Sequence, residues 1–186
     1  MTSILGIVAS SKLVASGSYE SIASFTVGAG GSSSINFTSI PSTYKHLQLR
    51  MSTNDNFGRE VVLQFNSDGG NNYTQHRLQG DGSSAGAYSA TGVSRAFVGT
   101  NSGYTSVFAG FITDIADYAS TTKNKTVRSF GGYDRNGTNS FSTLQSNLWL
   151  STSAITSITV KSTGDSDAFS SNFIQNCVFS LYGIKG

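Results

Sequence analysis

The stretch Phe37 to Ser52, FTSIPSTYKHLQLRMS, narrows the fold more than any other part of the chain. It holds the single proline, Pro41, in a polar turn that closes one apolar run, and it then opens a strict two-residue alternation. Leu47, Leu49 and Met51 fall on one face of an extended segment and His46, Gln48 and Arg50 on the other, which is how a half-buried antiparallel strand reads. One face builds core and the other meets solvent or a partner.

The rest of the chain repeats that arrangement. Charged residues make up only 12%, glycine occupies 21 positions, and 12 Phe, 8 Tyr and 1 Trp supply bulk among many Ser, Thr and Asn residues. Such a mixture disfavours helix, because Ser, Thr and Asn compete for backbone hydrogen bonds and Gly costs about 1 kcal/mol per helical position relative to Ala. An all-β fold is expected, and 186 residues suit one sandwich or barrel. We read residues 1–18 as an extended N-terminal arm and 19–186 as a single domain.

Strand signals run over Ile22–Val27, Ile35–Phe37, Tyr44–Met51, Val61–Phe65, Ala96–Val98, Ser106–Asp117, Lys125–Phe130, Phe141–Leu150, Ile155–Lys161 and Cys177–Ile184. The segment around Phe111 is apolar on both faces, as for a central strand. Asn136-Gly137 reads as a tight hairpin turn. Short strands at fairly even spacing argue for an antiparallel β-sandwich, jelly-roll or Greek-key-like. The longest break is 66–90, rich in Asp, Gly, Ser and Asn, with Tyr73–Leu78 inside it as a short strand; loops of that length carry function more often than short ones do.

Several function classes lose support. Twelve basic and 10 acidic residues give a net charge of +2, without the basic field of a nucleic-acid binder. The lone Cys177 sits in an apolar strand and reads as an inert core thiol with no disulfide or thiolate metal site. No apolar run reaches the roughly 18 residues of a membrane span. The apolar residues Ile4, Leu5, Ile7, Val8 and Leu13 follow no basic n-region, so the terminus reads as a retained arm that docks on its own domain or on a partner. His46 and His76 lack metal-motif spacing. Asp134-x-Asn136-Gly137-x-Asn139 lacks the bidentate Glu of a calcium loop and reads as a turn. The scattered carboxylates could include a glycosidase pair, but turn aspartates meet its spacing by chance in any β protein, so a glycan hydrolase is kept only as a third reading; no G-x-S-x-G elbow occurs. The chain therefore reads as a non-enzyme without metal or cofactor. Its candidate recognition residues are Tyr73, His76, Arg77, Asp81, Tyr88 and Tyr104, the tyrosines offering apolar area with a hydroxyl at little entropic cost.

Four phrases carry a resemblance: SYESIASFTVGAGGSSSINFTSIPSTYKHLQLR (Ser18–Arg50), FNSDGGNNYTQHRLQGDGSS (Phe65–Ser84), DYASTTKNKTVRSFGGYD (Asp117–Asp134) and FSLYGIKG (Phe179–Gly186). Together they resemble small virion-associated structural proteins of tailed bacteriophages, especially those of aquatic hosts such as cyanobacteria. The resemblance implies a virion protein: a capsid cement or decoration protein bridging capsomers, or else a tail or head fibre module that binds a host-surface glycan or receptor. It also implies the major capsid protein or another virion protein as partner, and a homo-oligomer, for which a closed trimer suits both readings.

Overall fold

A computed structural model describes residues 18–137, 139–164 and 170–186. The arm residues Ile4, Leu5, Ile7, Val8 and Leu13 lie outside these. The described chain is all β, in thirteen strands: β1 Tyr19–Thr26, β2 Ser34–Phe37, β3 His46–Thr53, β4 Glu60–Phe65, β5 Tyr73–Gly80, β6 Ala85–Val93, β7 Ala96–Thr100, β8 Ala109–Ile115, β9 Lys125–Tyr133, β10 Phe141–Trp149, β11 Ile158–Thr163, β12 Ser170–Ser171 and β13 Val178–Ile184. An eight-stranded sheet runs β1-β13-β3-β8-β9-β10-β5-β6, and a five-stranded sheet runs β12-β11-β4-β7 with β2 also paired to β11. All pairings are antiparallel. The two sheets close on a common core as a β-sandwich.

The order of pairing identifies the topology. β1 pairs with β13, β2 with β11, β3 with β8 and β4 with β7, so the backbone is one long nested hairpin, and rolling it up gives a jelly roll. β1-β13-β3-β8 forms one half and β2-β11-β4-β7 the other. Two hairpins, β5–β6 and β9–β10, are inserted into this plan. Both join the same edge of the larger sheet, which doubles its width while its partner stays narrow.

Alternation places the core. Leu47, Leu49 and Met51 of β3, Phe111 and Ile115 of β8, and Phe179 and Leu181 of β13 are buried against Val61, Leu63 and Phe65 of β4 and Ile158 and Val160 of β11. Phe111 fits where two glycines leave room: a Cβ on Gly99 would come within 2.1 Å of its ring, and one on Gly131 within 2.4 Å. A second cluster stacks Trp149 on Tyr73 (ring centroids 6.4 Å apart) and sets it at a tilt against Phe65 (5.5 Å). Burial pushes the Tyr73 phenol above its ordinary range, and its hydroxyl accepts from the Phe65 amide at 3.0 Å. Cys177 is buried, its thiol accepting from the Asn54 amide at 3.1 Å.

Under the inserted hairpins the inner face turns polar, with Ser129, Thr143, Gln145 and Asn147 all buried. Asn147 is held at both ends of its amide, accepting from the Phe97 N–H at 3.1 Å and donating to the Phe97 carbonyl at 2.9 Å, and so ties β10 to β7 of the other sheet.

Five expectations are corrected. The 66–90 region is no long loop: β5 and β6 pair over nearly their whole length, and Asp81 closes their turn by accepting from the Ser83 and Ser84 amides at 2.8 and 2.7 Å. Tyr73 is a fully buried strand residue and not an exposed loop aromatic. The segment around Phe111 is central, yet only one of its faces is covered, since β8 alternates strictly between buried and exposed positions. Asn136 and Gly137 both adopt positive φ, but within a longer connection in which Asp134 accepts from the Gly137 amide at 3.2 Å. The strand expected over Ile155–Lys161 begins at Ile158.

Candidate interaction surface

The solvent face of the eight-stranded sheet is the feature that stands out. Residues directly opposite one another across a sheet share a face, and the register brings Leu78 opposite Leu144, Leu144 opposite Phe130 and Phe130 opposite Ile112. These four side chains, from β5, β10, β9 and β8, form one unbroken row on the outside of the sheet. Their exposures are 58%, 50%, 63% and 48%. Single exposed apolar residues are ordinary, whereas a contiguous patch rimmed by polar residues marks an interaction site.

The neighbouring rows set the shape of this ridge. On one side the same register aligns Gly80, Ser142, Gly132, Gly110 and Ser52, small residues that make a trough alongside it. A Cβ added at Gly110 would meet nothing within 4 Å, so the trough there is open. On the other side run His76, Ser146, Arg128, Asp114 and Gln48. Asp114 accepts from the Gln48 amide at 2.8 Å, and Arg50, which ends the ridge on β3, stacks on the Tyr182 and Tyr19 rings at 5.0 and 5.4 Å. A concavity of about 470 Å³ lies over the trough and ridge at this end, between Gly110, Ile112, Phe130 and Val178. Another of about 420 Å³ lies beside Leu78 and Leu144.

Of the sequence-predicted recognition residues, His76, Arg77 and Tyr88 line one concavity, the one beside Leu78 and Leu144, and Tyr73, Asp81 and Tyr104 do not join them. His76 is exposed on the outer face, next to the ridge. Arg77 points inward and is clasped between the rings of Tyr88, at 4.5 Å, and Phe97, at 4.7 Å, with Glu60 at 3.9 Å. These four, with Asn71 and Gln75, line a polar cleft of about 490 Å³ at the open side of the β5–β6 hairpin. Asp81 serves its turn, whose amides hold its carboxyl well below the usual carboxylate range. Tyr73 is core. Tyr104 lies in the connection between β7 and β8, under Arg135 at 3.4 Å. Among the described residues no three His, Cys, Asp or Glu side chains converge as a metal site would require, and no helix is long and apolar enough to cross a membrane.

Sequence reasoning missed the ridge. Its members stand at positions 78, 112, 130 and 144, and only the sheet register makes them neighbours. The one local signal was Ile112, which made its strand look apolar on both faces.

No family model matches the chain, and neither a curated protein nor a solved structure matches it.

Proposed function

We propose that this chain is a structural protein of a tailed-bacteriophage virion, a capsid cement or decoration protein that bridges capsomers and stabilises the shell. The observation that carries this reading is the exposed apolar ridge on a sheet widened by two inserted hairpins: a broad face with an apolar centre suits assembly. The phrase-level resemblance to small virion proteins supplies the setting. Bridging opposes the outward force on a shell by burying interface across a seam, and a symmetric oligomer adds several weak contacts into one strong attachment. The major capsid protein is the intended partner, and the apolar terminus with Ile4, Leu5, Ile7, Val8 and Leu13 is the segment assigned to it.

Quantitative mass spectrometry of purified particles tests the reading. A ratio near one to one with the major capsid protein is expected, and absence from particles refutes it. Removing residues 1–14 should abolish particle binding.

A second reading, a tail or head fibre module that binds a host-surface glycan, draws on the cleft lined by Arg77, Tyr88, Gln75 and Asn71. Amide and guanidinium donors beside an aromatic ring match the hydroxyls and apolar faces of a sugar. A copy number of a few per cent of the capsid protein favours this reading over the first.

A further inference from the structure

We infer that the outer face of the eight-stranded sheet pairs with the same face of a second copy, about a two-fold axis that lies along the apolar ridge between Phe130 and Gly132. The inference concerns the isolated chain and does not rest on the virion reading.

The face is self-complementary. Arg128 and Phe130 are consecutive outward positions on β9, Gly132 follows them in the register, and Asp134 is exposed just past the end of the strand. A two-fold between the middle two sets Phe130 of each copy over Gly132 of the other and brings Arg128 to the other copy's Asp134. Ridge enters trough twice, and opposite charges meet at both rims. The charge match is kept ready, since Asp134 accepts from Gly137 and Ser140 and these bonds hold its carboxyl below the usual range. On β8 the same operation lays Ile112 over Gly110, the position with open space above it. An isologous contact of this kind closes on itself and leaves no sticky surface for further growth.

The area is sufficient. From Ala87 on β6 to Val178 on β13 the face crosses seven strands; at ~4.8 Å per strand and ~6.8 Å per same-face row, three rows make a patch of roughly 34 by 20 Å. That is nearly 700 Å² per copy and about 1,400 Å² for the pair, above the roughly 1,000 Å² a specific interface needs. The area stands at the low end of that class, so a dissociation constant in the micromolar range is expected.

Sedimentation equilibrium of the full chain from about 1 to 200 µM is the test. A monomer–dimer equilibrium is expected, weakened at least tenfold by Phe130→Lys. Gly110→Leu separates this geometry from general stickiness: it adds apolar surface at a position where an added Cβ meets nothing within 4 Å, yet it fills the trough, so it should also weaken the dimer tenfold or more. Arg128→Asp should weaken it, and the double variant Arg128→Asp/Asp134→Arg should recover part of the loss. Unchanged thermal unfolding of the Gly110 variant shows that its fold is intact. A monomer at 200 µM overturns the inference, as does a dimer that Gly110→Leu leaves equal or tighter.

Discussion

Asp55 ends a one-way chain of hydrogen bonds, and replacing it should cost more than any surface position. Thr53 donates to Asn101 at 2.7 Å, Asn101 to Ser162 at 3.2 Å, and Ser162 to Asp55 Oδ2 at 2.7 Å. The same carboxylate accepts from the amides of Phe57, Gly58 and Arg59 at 3.0, 2.9 and 3.1 Å. Thr53, Asp55, Asn101 and Ser162 are all buried. Each bond to a charged acceptor contributes about 1.5–3 kcal/mol, yet these do not add. The three amides belong to a loop whose Phe57 side chain is exposed, so water recovers much of their loss in Asp55→Ala. The buried Ser162 hydroxyl has no such recourse and incurs the penalty of an unsatisfied donor, about 1–3 kcal/mol. With the lost packing, Asp55→Ala should destabilise by about 3–5 kcal/mol, a large share of the 5–15 kcal/mol typical of a domain. Asp55→Asn should recover little, because one end of its amide would direct N–H groups at donors. Urea unfolding followed by the fluorescence of the single tryptophan, Trp149, reads the difference. A loss below about 1 kcal/mol for Asp55→Ala, or wild-type stability in Asp55→Asn, would refute the directional account.

Three more outcomes are expected. Gly183→Ala should destabilise by about 1–3 kcal/mol through overpacking, since its Cβ would lie 2.2 Å from the Tyr44 ring; Gly110→Ala, with open space above it, should fall within about 0.5 kcal/mol of wild type in the same melt. Asp68 accepts from the Trp149 indole N–H at 2.7 Å, and that bond is the main cause of its lowered pKa. A depressed folded pKa means the contribution is complete above the unfolded value, near 3.8, and is lost as pH falls through the folded value; Trp149 emission should therefore hold steady from pH 7 to 5 and shift only below about 3.8, and a shift centred above pH 5 would contradict the assignment. Burial pushes the Cys177 thiol up, so a thiol reagent at pH 8 should label it only as fast as the protein opens, and adding urea should accelerate labelling steeply.

How much of this was legible in the chain depends on where the pattern is local. β3 was plain because a strict alternation meets its ordinary cause, one dry face and one wet face. β6, AGAYSATGV, was invisible: as an edge strand it is mostly exposed, so burial imposes no alternation on its residues, and its small side chains resemble loop. The inner face under the inserted hairpins misleads in another way, since Thr143, Gln145 and Asn147 are polar yet buried while Leu144 between them is exposed, the reverse of the usual code. Tyr73 was misplaced because its Gly- and Asn-rich neighbours form the turn before β5, and nothing local reports that Trp149 waits 76 residues later as its stacking partner. Rows that cross a sheet are a property of register, which no window of sequence contains.

The nested pairing also decides when this protein can be complete during its own synthesis. β13 lies between β1 and β3, and Lys185 reaches back 165 residues to Glu20. At about 5–20 residues per second, the first strand waits roughly 8 to 33 seconds for the strand that separates it from the third. Throughout that interval the nascent chain holds two open sheet edges, the arrangement most prone to pairing with the wrong neighbour. Translation stopped before Val178 would remove β13 altogether, so chains truncated there should be found in aggregates, and the arrival of β13, rather than of β1, sets the moment at which the fold becomes safe.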